Sequence, residues 1–123
     1  MRVDSGPWPA RPMMVTLVKQ DDWNVPPEGV VFSIPPTPPG LEAYLVVTAI
    51  VDDDATLAIL FEVLWPDSAG VPRVIHRASY ARAPGYGEII KIGKIPPEAS
   101  LRIRCGYNDW LAANFVNIAV VYM

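Results

Sequence analysis

From Leu101 to Cys105 the chain alternates: Leu101, Ile103 and Cys105 point one way, Arg102 and Arg104 the other. A period of two is the mark of a β-strand buried on one face. Apolar or alternating stretches recur at 13–19, 30–34, 43–51, 56–65, 71–80, 88–94, 101–107 and 115–122. Turn residues separate them: Pro26-Pro27-Glu28-Gly29, the stiff run 35–40 with its four prolines, and Pro66-Asp67-Ser68-Ala69-Gly70. Asp52-Asp53-Asp54-Ala55 reads as a hairpin connection between the strands on either side of it. Pro72 marks 71–80 as an edge strand, because proline cannot donate to a ladder. Helix is hardly supported: 108–114 offers one short turn capped by Asn108 or Asp109, or a loop between the last two strands. About eight short strands at regular spacing predict an all-β fold, an antiparallel β-sandwich of jelly-roll-like form.

Three of the strands break the one-sided rule. At 43–51, 56–65 and 115–122 both faces are apolar, so each needs a second cover. That cover is either a proline-rich segment of the same chain or another subunit. Glu62 is the one acid inside an otherwise apolar strand, and it reads as an interface or salt-bridge residue with Arg102 or Arg104 as partner. Ahead of the strands, residues 1–12 form a proline-rich extended arm with Pro7, Pro9 and Pro12. Trp8 sits between two of these prolines and can anchor the arm on a neighbour at little cost in ordering entropy. Residues 13–123 then make a single β-sandwich domain. Pro-Pro-Glu precedes a strand at both 26–28 and 96–98, which reads as shared turn chemistry.

Composition narrows the function. A chain of 123 residues with 51% hydrophobic and 19% charged side chains folds around one real core and is not intrinsically disordered. No run of about 20 apolar residues is present to cross a membrane as a helix. The first stretch lacks the basic start and apolar run of a secretory signal. A net charge of −3 argues against a general nucleic-acid binder. The charge is uneven, however: residues 1–70 hold three basic and ten acidic side chains, residues 71–123 seven basic and three acidic. Low charge with a mean hydropathy of +0.23 favours association.

Candidate chemistry is sparse. His76 is the single histidine and Cys105 the single cysteine, so neither a multi-histidine metal site nor a disulfide framework is available. His76 reads as an edge-strand surface residue and Cys105 as a buried, inert thiol. Asp52, Asp53 and Asp54 match no calcium-loop spacing. No glycine-rich phosphate loop and no nucleophile elbow occurs. No catalytic residue, metal or cofactor is therefore expected. Trp23, Trp65, Tyr107 and Trp110 fall at strand ends or in loops, where aromatics plug a sandwich, anchor a protein contact or stack on sugar rings. A carbohydrate-binding module is the alternative that these four residues keep open.

In layout the chain resembles the small virion proteins of tailed bacteriophages, in particular the decoration or cement proteins of capsid lattices. The features that carry the resemblance are the proline-rich arm 1–12, the single sandwich, the strand 115–122 close to the last residue, and the doubly apolar strands at 43–51 and 56–64. The resemblance implies a non-enzymatic structural protein of the virion, made in the host cytoplasm without a signal peptide. It also implies a homo-oligomer, trimer favoured, bound to a major capsid protein or another virion protein and not to nucleic acid or membrane. Head-completion and tail proteins share the layout and stand as alternatives. On this expectation the partner-binding residues are Trp8, Pro9 and Arg11 in the arm, and Arg102 and Arg104 as a basic stripe.

Overall fold

The computed structural model describes residues 12–25, 28–50, 57–82, 87–105 and 111–123. All its regular elements are strands: β1 (Met13–Val25), β2 (Val30–Ser33), β3 (Ala43–Ile50), β4 (Leu57–Pro66), β5 (Pro72–Arg82), β6 (Gly87–Gly93), β7 (Ser100–Cys105) and β8 (Leu111–Tyr122). They form two four-stranded sheets in the orders β1-β8-β3-β6 and β2-β7-β4-β5. Every pairing is antiparallel. The pairs β1–β8, β2–β7, β3–β6 and β4–β5 are the rungs of one long hairpin that turns at 67–71. Rolling that ribbon up brings β8 beside β3 and β7 beside β4. A β-ribbon wound in this way is a jelly roll, the architecture expected from the strand spacing.

Alternation decides what lies between the sheets. Leu45 and Val47 of β3 and Ile118 and Val120 of β8 face Ile59 and Phe61 of β4 and Leu101 and Ile103 of β7, all buried. Filling such a layer supplies the main stabilisation, at roughly 25 cal/mol per Å² of apolar surface removed from water. The stiff run 35–40 crosses between the sheets and is pinned rather than loose. The Thr37 backbone N–H donates to the Ile95 carbonyl at 2.9 Å, and the Ile95 N–H donates to Thr37 Oγ1 at 2.6 Å. Beneath it the Tyr122 hydroxyl donates to the Pro35 carbonyl at 2.5 Å. Burial pushes that phenol up to about 12.

Three expectations need correction. β3 and β4 are not hairpin partners, because they lie in different sheets; the stretch 51–56 between them lies outside the described residues. The β4–β5 turn has Gly70 at φ +82°. β1 continues past residue 19 to Val25, paired with β8 up to Leu111. Its polar residues hid this extension, which Trp23, buried in the core, holds in place. For the same reason 111–114 is strand and not helix. Pro72 does open an edge strand, as expected.

Candidate functional site

Two outer faces remain after the core is filled, and they differ in chemistry. On the β2-β7-β4-β5 sheet, β4 alternates inward Ile59, Phe61 and Val63 with outward Leu60, Glu62 and Leu64. Glu62 stands in register with Arg77 on β5 and with Arg102 on β7. Arg104 lies diagonally, opposite Leu60. Cross-strand neighbours of this kind are close enough for long side chains to meet. Arg77 Nε donates to Glu62 Oε2 at 3.1 Å, and Arg102 Nε donates to Oε1 at 2.8 Å. Arg102 Nη2 lies 2.7 Å from Oε1. Arg104 Nε is 3.1 Å from the same oxygen, close enough for an ion pair but without hydrogen-bond geometry.

The carboxylate is fully enclosed, whereas the arginine side chains are 63% (Arg77), 30% (Arg102) and 36% (Arg104) exposed. Burial alone would raise the Glu62 carboxyl above its ordinary 4.5. The hydrogen bonds from Arg102 and Arg77, with the charges of Arg102 and Arg104, outweigh it and hold the group below that value. Three guanidiniums around one carboxylate leave two positive charges in surplus at the surface. Gly29, at φ +82°, lies against the arginine stems: a Cβ there would sit 2.6 Å from the Ile103 carbonyl oxygen and 3.0 Å from Arg104 Cγ. Only glycine permits this approach.

The other outer face, on the β1-β8-β3-β6 sheet, is built in rows. Met14, Val121, Tyr44 and Lys91 line up across the strands in one row, and Thr16, Ala119, Val46 and Ile89 in the next. Lys19, Asn117 and Thr48 follow. Met14 and Ile89 are 66% and 63% exposed.

The structure brings Arg102 and Arg104 together on one face, as the alternation of 101–105 required. It corrects the idea of a simple basic stripe, since both are engaged with Glu62. The expected Glu62 partnership with these two arginines holds. Arg77 was missed, because the bulge at Ile75 shifts the β4–β5 register and blurs the alternation of that strand. The hairpin pairing across 66–72 is the signal that places it opposite Glu62. His76 is exposed on edge strand β5, as expected. Trp8, Pro9, Arg11, Tyr107 and Trp110, and the acidic run 52–54, lie outside the described residues. Trp23 is withdrawn as a sugar-stacking residue: at 5% exposure its ring faces are taken by the core. Trp65 is 43% exposed, with its indole N–H donating to the Pro97 carbonyl at 2.8 Å. Among the described residues no group of three or more His, Cys, Asp or Glu is placed to hold a metal ion. Comparison of the chain with protein-family models, with curated proteins and with solved structures finds no match.

Proposed function

We propose that this chain is a non-enzymatic structural protein of a bacteriophage particle, of the capsid-decoration type, working by contact between subunits. The observation that supports it best is the pair of unlike outer faces on a wrapped-ribbon jelly roll. One sheet offers aligned apolar rows, the other a surplus-positive arginine cluster on a rigid ladder. Jelly rolls recur in viral shells and in lectins, so fold alone does not choose between them. The two surfaces favour the shell: a lattice protein needs broad contacts of modest strength that add through multivalency. On this reading the partners are further copies of the chain and an acidic surface of the major capsid protein, which Arg77, Arg102 and Arg104 meet. The arm 1–12, with Trp8, Pro9 and Arg11, serves as a clasp on a neighbour.

The test is mass spectrometry of particles purified from cells that carry the gene in its native genome. The chain is expected there in copy number comparable with the shell protein, and deletion of residues 1–12 is expected to reduce its retention on particles. Purified particles that lack the chain overturn the reading. A glycan array serves the lectin alternative; of its four candidate aromatics, Trp65 is the one that is both described and exposed.

A further inference from the structure

We infer that the outer face of the β1-β8-β3-β6 sheet is a docking surface for a second copy of this chain, packed face to face. This goes beyond the reading above by assigning the copy-to-copy contact to one sheet, and it depends on that reading only for its biological purpose.

The placement of charge carries the inference. Across the two rows led by Met14 and Thr16, the inner strands β8 and β3 present half-buried Val121 and Tyr44, then half-buried Val46 beside the buried Ala119, with no charge among them. The charged side chains of these rows and the next stand on the outer strands, Lys91 on β6 and Lys19 on β1. An apolar centre inside a charged rim is the anatomy of a protein interface. The opposite outer face has the reverse arrangement, with three charged side chains, Glu62, Arg102 and Arg104, on its inner strands β4 and β7. A sheet face that only met water would have polar residues at the central positions, as antiparallel sheets with one solvated side do.

The size fits a second copy better than a small ligand. Four strands at about 4.8 Å spacing, with about eight residues at 3.4 Å each, cover roughly 500 Å² per copy. Two copies then remove roughly 1,000 Å² in total, the lower bound for a specific interface, so the association is reversible and concentration-dependent. A flat face pairing with itself is isologous and closes at two. A trimer would need two different surfaces, so this face points to a dimer rather than the trimer expected from the sequence.

The experiment is size-exclusion chromatography with light scattering on the full chain from about 5 to 500 μM. The mass should rise from 13.5 kDa toward twice that value across this range. Ile89→Lys and Met14→Lys alter side chains that are two-thirds exposed at opposite edges of the face, so the fold has no reason to change. Each should weaken dimerisation at least about tenfold. Val31→Lys, on the other sheet and 57% exposed, should leave it unchanged. Circular dichroism confirms the fold of each variant, and having two face variants keeps the test open if one misfolds. A monomer at every concentration, a trimer, or a dimer that survives both face variants overturns the inference. None of these results touches the particle-composition test, so the two readings fail separately.

Discussion

Replacing Glu62 with glutamine keeps the size of the side chain and removes its charge. The carboxylate is wholly enclosed, and it is held by Arg77, Arg102 and Arg104 at 2.7–3.1 Å. Removing one partner of a fully buried ion pair costs about 3–5 kcal/mol, because the other charge is left unpaired. Here the arginine side chains are about one- to two-thirds exposed, so water recovers part of that loss. Mutual repulsion among three guanidiniums works the other way. The expected loss is about 2 kcal/mol at pH 7, roughly 6–10 °C in melting temperature for a domain of this size. Urea unfolding followed by tryptophan fluorescence measures it. The pH dependence is the sharper test. Glu62 is held below its ordinary 4.5, so its contribution is complete above that pH and fades as the pH falls through the lower, folded value. The gap between wild type and Glu62→Gln should therefore narrow steadily in acid. A gap below about 0.5 kcal/mol at pH 7, the usual size for a neutral surface change, would refute the reasoning. So would a gap that stays constant down to the lowest pH at which both proteins fold.

Other perturbations test other parts of the fold. Gly29→Ala should destabilise by more than about 2 kcal/mol in the same urea assay, since it combines a positive φ with a Cβ 2.6 Å from a carbonyl oxygen. Glu98→Gly should stabilise by up to about 1 kcal/mol, because Glu98 is exposed and held at φ 69°. Tyr122→Phe should cost about 1 kcal/mol through the lost bond to Pro35. In an absorbance titration of the wild type, one tyrosine should ionise near 12. The stability tied to it is complete below pH 10 and is lost as the pH rises toward 12.

The strands of the sandwich were legible because their signals are local. Period-two alternation at 101–105 and the proline and glycine turns fix where strands begin and which way they face. Strand order is a long-range property, and adjacency in sequence misleads there. The short link at 51–56 joins strands of different sheets, whereas 67–71, one residue shorter, makes a true hairpin. The difference lies in Gly70 and in Asp67, whose carboxylate accepts from the backbone N–H groups of Ala69 and Val71 and from Arg73 Nε. Three consecutive aspartates carry only a generic turn preference. β1 was cut short for a similar reason. Gln20, Asp21 and Asp22 have low strand propensity, and Asp22 even departs from extended backbone at φ 49°; pairing of Gln20, Asp21 and Trp23 with β8 and burial of Trp23 carry the strand through them.

The surfaces follow the same logic one level up. Doubly apolar strands could be seen in the sequence, but the sequence could not say which of them stay uncovered. In β4 two of the three outward positions are closed from within: Leu64 is buried, and Glu62 lies enclosed among three arginines. In β3 and β8 the outward residues Tyr44, Val46 and Val121 are only half-buried, with no further layer above them among the described residues. The same apolar signal thus has two physical outcomes, depending on whether long side chains from neighbouring strands can fold over the position. Arginine stems reach across about 5 Å to cover β4 because Arg77 and Arg102 lie directly opposite Glu62. Beside Val46 the cross-strand partners are Ile89 and Ala119, and neither can supply such a cover. A face left open by its own neighbours must either be tolerated in water or be covered by another molecule, and the absence of charge at its centre favours the second.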